Sequence, residues 1–181
     1  MFKDAMQYSD EELLRSCQAF FGGLYWAWYS AAVQAVGEEK TAEIMKVMCG
    51  RFAELEEVYM KQLWGGEFRS LQDLAKPLDV VHRMLTYEGR TRGSVPDWTW
   101  SDENKGYERI GYCPIHAATP EEFKDKGPTP LCTVYCHSIG QQFYGRMGCS
   151  IRQDSWLSKG GTHCGYHIEK RADAKPAAGP G

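Results

Sequence analysis

The sequence lacks any excess of positive charge: 21 Lys and Arg stand against 24 Asp and Glu in 181 residues, a formal net charge of -3. Apart from the neighbours Arg90 and Arg92, its basic residues are scattered and form no stripe, which excludes nucleic-acid binding as the main activity. There is no CxxC pair, and the cysteine and histidine spacings fit no zinc finger or ribbon. The stretch from Cys132 to His137 is one residue too long for covalent haem attachment. Seven cysteines, an odd number, argue against a disulfide framework. No internal repeat is found.

The opening MFKDAMQYSDEE carries acids where a secretion signal needs a basic start and an apolar core. A cytoplasmic protein with reduced thiols is expected. Ser16 to Gly37 has no charge over about 22 residues, enough to cross a bilayer, yet it contains Gln18, Gly22, Gly23, Ser30 and Gln34. Its aromatics also run through the middle instead of forming belts at the ends. It reads as a packed or groove-lining helix, and no membrane partner is expected.

The chain that remains suits one α+β domain, with a helical region over 1–92, a Cys/His-rich α+β region over 93–170 and a disordered tail over 171–181. Ser9 opens a capping box with Glu12, predicting a first helix that runs to Val36 and stops at Gly37. On it Phe20, Leu24 and Trp28 share one face, as core or as the wall of a ligand pocket. Glu38 to Trp64 keeps helical spacing, with Gly50 marking a close crossing. Ser70 caps a third helix that Pro77 kinks or splits. Trp98 and Trp100 suit one face of a short strand and could mark a partner surface. Tyr107 to Cys113 reads as a strand, Thr119 to Gly127 as a short helix and Leu131 to Tyr144 as a helix. Gly148 to Trp156 and His163 to Glu169 read as a hairpin, with His163, Gly165 and His167 on one face of its second strand.

Five of the seven cysteines and four of the five histidines fall between Cys113 and His167, so chemistry is expected there. Cys113 and His116, with two residues between them, can meet one ion, and Cys136 and Cys164 are further candidate ligands for zinc. Cys132 and Cys136 would share a face if helical. Alternatively, a cysteine beside a histidine serves as a nucleophile, with Asp154 orienting the base. Buried cysteines that merely pack are the third reading, and the preferred one for Cys17, Cys49 and Cys149.

The pattern Arg152-x-x-x-x-Leu157-x-x-Gly160-Gly161-x-x-Cys164-x-Tyr166-x-Ile168, with Gly111-Tyr112-Cys113-Pro114 and Leu131-Cys132-x-x-x-Cys136, resembles the L-2-amino-thiazoline-4-carboxylic acid hydrolase family. The resemblance implies a hydrolase acting on a C–N bond of a small cyclic amidine-like substrate, opening a thiazoline ring to an N-carbamoyl amino acid. Members tend to carry an aspartate shortly after the second cysteine, where this chain has His137-Ser138-Ile139. Cys136-His137-x-x-Gly140 and Gly145 are similar instead to 4-vinyl reductase-type domains, which implies a non-catalytic module for a small molecule or metal.

The expected catalytic residues are Cys136 as nucleophile or ligand, His137 as base, Cys113 and Asp154. Cys164, Tyr166, Trp28 and Trp100 are the expected substrate-binding residues. The expected cofactor is none or zinc, and the partners are a small-molecule substrate and, in a homo-oligomer, further copies of the chain.

Overall fold

The structure, a computed structural model, describes residues 9–64, 68–85, 97–124 and 137–172. Helix α1 (Asp10–Val36) begins at the expected capping box: Ser9 Oγ accepts from the Glu12 amide at 3.2 Å, and the Ser9 amide donates to Glu12 Oε2 at 2.9 Å. It stops at Gly37, whose φ of 84° no side-chain-bearing residue adopts easily. Helix α2 (Glu38–Trp64) follows at once. Helix α3 (Leu71–Leu85) is capped by Ser70 Oγ, 3.1 Å from the Asp73 amide, and continues through Pro77 without splitting.

Strands β1 (Asp97–Asp102) and β2 (Lys105–Ile110) come next, then two single-turn helices, α4 (Pro114–Ala117) and α5 (Glu121–Lys124). Among the described residues, the last elements are α6 (His137–Arg146), β3 (Cys149–Ser155) and β4 (Cys164–Lys170). The four strands form one antiparallel sheet in the order β1-β2-β4-β3. The architecture is α+β, as expected. Two details differ. The strand expected to reach Cys113 ends at Ile110, because Cys113 caps α4 and Pro114 takes its first position. The hairpin connection also holds a 3-10 turn, Leu157–Lys159, ended by Gly160 in the left-handed region. Residues 131–136 of the expected helix, and the tail beyond 172, lie outside the described residues.

Two apolar clusters hold these layers. Under the sheet, Met60, Leu71, Leu74 and Leu78 of the helices meet Tyr166 and Ile168 of β4. Trp98 and Trp100 join them, half-buried and stacked at 4.7 Å and 4° over Gly106. They are therefore sheet packing, which corrects the reading of this pair as an exposed partner surface. The second cluster gathers Tyr25, Trp26, Tyr29, Met45 and Ile115, with Trp26 Nε1 donating to the Ile115 carbonyl at 2.9 Å. Glycines set both crossings. A Cβ on Gly22 would lie 2.9 Å from the Pro114 carbonyl oxygen, and one on Gly50 would lie 2.6 Å from Gln142 Oε1, so α4 and α6 pack where α1 and α2 are bare.

α2 is also tied to α6 by Glu57, which receives Lys61 Nζ at 2.8 Å and Arg146 Nε at 2.5 Å. Burial pushes the Glu57 carboxyl up, but the hydrogen bonds and charges of Lys61 and Arg146 outweigh it and hold the group below its ordinary 4.5. Stability from this pair is complete above pH 4.5 and lost as pH falls through the lowered value. Glu57→Gln should cost about 1 to 2 kcal/mol at neutral pH, less than a fully buried pair because Arg146 is part-exposed. It should also flatten the acid limb of the stability curve; denaturant titrations at pH 7 and pH 3.5 check both effects.

Candidate functional site

Residues directly opposite one another in an antiparallel pair share a face. On the sheet face away from Tyr166 and Ile168, His167 of β4 lies between Tyr107 of β2 and Arg152 of β3. The β3–β4 register shifts between Gln153 and Ser155, so Asp154 is an extra residue with no cross-strand partner. Such a bulge re-aims a side chain. Here it brings the Asp154 carboxylate to the same outer face, Oδ2 at 2.6 Å from His167 Nε2 and Oδ1 at 3.0 Å from the Tyr107 hydroxyl.

The chain of contacts continues. The Tyr107 hydroxyl is 3.1 Å from His163 Nε2, and His163 Nδ1 is 3.0 Å from Thr162 Oγ1. Gly165, between the two histidines, makes the meeting sterically feasible: a Cβ there would fall 2.0 Å from the Tyr107 hydroxyl and 2.8 Å from Asp154 Oδ1. Four side chains from three strand segments and one preceding loop residue thus form one hydrogen-bonded row across the open face.

The row fixes its proton positions. Tyr107 has one proton, which it donates to Asp154, so the contact with His163 needs Nε2 as the donor to the Tyr107 oxygen, and in a neutral ring Nδ1 then accepts from Thr162. Neutral His167 keeps its proton on Nε2, facing Asp154, and leaves Nδ1 as the basic nitrogen. Burial raises the Asp154 carboxyl, but the hydrogen bonds of His167 and Tyr107 and the charges of His167 and Arg152 prevail and hold it below 3.8. Tyr107 is pushed above 10.0 by burial and then by Asp154, so it stays a proton donor at neutral pH. His167 is 45% exposed and can meet a solute. Chemically the row offers an imidazole with an orienting carboxylate, the arrangement that general-base chemistry uses, and a phenol–imidazole pair beside it.

The other expected site residues are distributed through the fold. Cys113 packs on the α1 cluster with Trp28, and its Sγ accepts the His116 amide at 3.5 Å. Cys164 packs on the opposite, inner face of the sheet, its Sγ accepting from the Leu157 amide at 3.5 Å. Tyr166 and Trp100 are on that inner face too, away from His167. His116 is half-buried, and burial lowers its pKa below 6.5, which favours the neutral ring. His137 is the first residue of α6, and Cys132 and Cys136 lie outside the described residues. Among the described residues, no three of His, Cys, Asp and Glu come together as metal ligands.

Of the expected catalytic set, Asp154 sits at this face and orients a histidine. The partner is His167, and Tyr107 and His163 complete the row. Sequence reading placed the two histidines together but missed Tyr107. The available signal was the alternation of β2, which puts Lys105, Tyr107 and Arg109 on the face opposite the buried Glu108.

The thiols differ sharply in exposure. Burial pushes Cys49 and Cys149 up to about 11, whereas Cys17 is exposed on α1. Cys17 should react with a disulfide reagent at pH 7.5 within minutes, and Cys49 and Cys149 only after denaturant is added. Peptide mapping after alkylation reads the order directly.

No family model matches the sequence, and no curated protein matches it. Solved structures do match in fold. A trafficking protein particle complex subunit 3 from Naegleria fowleri, covalently bound to palmitic acid, is 11% identical and superposes with a TM-score of 0.60, over 87% of this chain and 96% of that one. The phenol-responsive sensory domain of the transcription activator PoxR, with phenol, is 14% identical with a TM-score of 0.43, over 84% of this chain and 74% of that one. Among the described residues, no helix is long and apolar enough to cross a membrane. The first of these likenesses shows a shared α+β fold.

Proposed function

We propose that the chain is a cytoplasmic hydrolase-like enzyme that opens small cyclic amidine-like substrates, with Asp154 and His167 activating water. The observation that carries this reading is the 2.6 Å contact between His167 Nε2 and Asp154 Oδ2, continued through Tyr107 to His163 on an accessible face. In this scheme His167 Nδ1 takes one proton from water as the water oxygen bonds to the amidine carbon. Asp154 stabilises the imidazolium that forms. The bond from that carbon to the departing ring heteroatom then breaks, and His167 returns its proton to that atom. Arg152, directly across from His167, offers a cation to a substrate carboxylate. Cys136, just before α6, remains the candidate for a covalent variant of the same reaction.

Incubation with L-2-amino-thiazoline-4-carboxylate and a panel of cyclic amidines tests the proposal. The expected result is a ring-opened product one water heavier, formed in proportion to protein concentration. A second reading, a non-catalytic small-molecule module, is supported by the fold, which in the Naegleria subunit carries a bound palmitic acid. Saturable binding of the panel with no product would favour that module and reject the hydrolase.

A further inference from the structure

The side of α1 that faces away from the core carries an apolar row. Leu13, Cys17, Phe20, Leu24, Ala27 and Ala31 all lie on the exposed surface, and the three large side chains are 44%, 72% and 57% exposed. The spacing of the row alternates four and three residues, so it stays on one stripe of the helix. The buried positions Gln18, Tyr25, Trp26 and Tyr29 lie on the other side. The row is symmetric about residue 22. Laid antiparallel on its own copy, it sets Leu13 against Ala31, Cys17 against Ala27 and Phe20 against Leu24, large beside small at both ends. Gly23, exposed and with nothing within 4 Å of a Cβ position, lies next to the crossing and lets the two backbones approach.

Charge decides which helix pairs with itself. From Ser16 to Val36, α1 has no Asp, Glu, Lys, Arg or His, so the row from Cys17 to Ala31 meets its copy without repulsion between formal charges. The outward row of α2 has the same symmetry: Lys40, Ile44, Val47, Arg51, Leu55, Val58 and Gln62. Its centre is Arg51, which an antiparallel copy would place against another Arg51. Like charges in direct opposition disfavour that pairing. We infer that a second copy of this chain covers the α1 face, as an antiparallel α1–α1 pair about a two-fold axis near Gly22 and Gly23. A two-fold contact of this kind is self-complementary, as the row is. A stripe of about five helical turns offers about 400 Å² per protomer, about 800 Å² in all, which is the size of a weak, transient contact.

Sedimentation velocity of the full chain from about 2 to 200 μM tests this. The expected result is a monomer–dimer equilibrium across that range. Phe20→Glu and Leu24→Glu should each weaken it at least tenfold, with helical circular dichroism and melting temperature unchanged because both side chains are exposed. Val47→Glu on α2 should leave the equilibrium in place. A chain that stays monomeric at the highest concentration overturns the inference. So does a dimer that survives Phe20→Glu and Leu24→Glu, or one lost on Val47→Glu instead.

Discussion

On the proposed hydrolase mechanism, Asp154→Asn should lower the turnover number for ring opening by about 10² to 10⁴-fold, the usual worth of a positioned acid–base group, with little change in KM. The carboxylate accepts from His167 on one oxygen and from Tyr107 on the other. An asparagine has one acceptor oxygen, so it can serve only one of the two, and its NH2 group faces the second donor. It also removes the negative charge that stabilises the imidazolium. Folding should survive, because Asp154 sits at a bulge on the outer face and has no cross-strand partner to lose. Steady-state kinetics beside a thermal melt separate the two effects. Turnover within about threefold of the parent would remove Asp154 from the mechanism.

Gly165→Ala is the second large effect. The new methyl group would start 2.0 Å from the Tyr107 hydroxyl, well inside contact distance, and 2.8 Å from Asp154 Oδ1. The Tyr107 ring lies on the exposed side and can swing away, so the stability cost should stay near 1 kcal/mol. The swing nevertheless parts Tyr107 from both Asp154 and His163. Turnover should fall by about 10²-fold while the melting temperature moves by a few degrees. A variant that loses stability and activity together would mean that Gly165 serves packing alone. Crystals of the variant would show where the phenol has gone.

Much of this fold is legible in the sequence because local signals agree with tertiary ones. The Ser9–Glu12 box, Gly37 and the Ser70 cap each mark an end that the structure keeps. Gly50 marked the crossing that Gln142 fills. Pro77 was legible as a proline and misleading as a break, since α3 carries it through with the residue buried. Trp98 and Trp100 show the limit of pattern alone. Their alternation gave the strand, but only the cross-strand neighbour Gly106 gives the stacked indoles somewhere to lie.

The site was legible by face and illegible by partner. Period-two alternation put His163, Gly165 and His167 together, because direction along one strand is a local property. The bulge that delivers Asp154 depends on how β3 registers against β4, and the Tyr107 contact depends on β2 lying on β4's other side. Neither can be read from spacing. Sequence proximity likewise suggested that Cys113 and Cys164 line one site. The fold sends the first to the α1 cluster and the second to the inner face of the sheet.

The measurement that tests the central claim most directly is chemical rescue of His167→Ala in the ring-opening assay. If His167 is the base, the variant loses at least about 10²-fold in turnover, and millimolar imidazole in the buffer restores part of it, with the restored rate rising with free imidazole. If His167→Ala turns over like the parent protein, the base lies elsewhere and the Asp154–His167 row is structural.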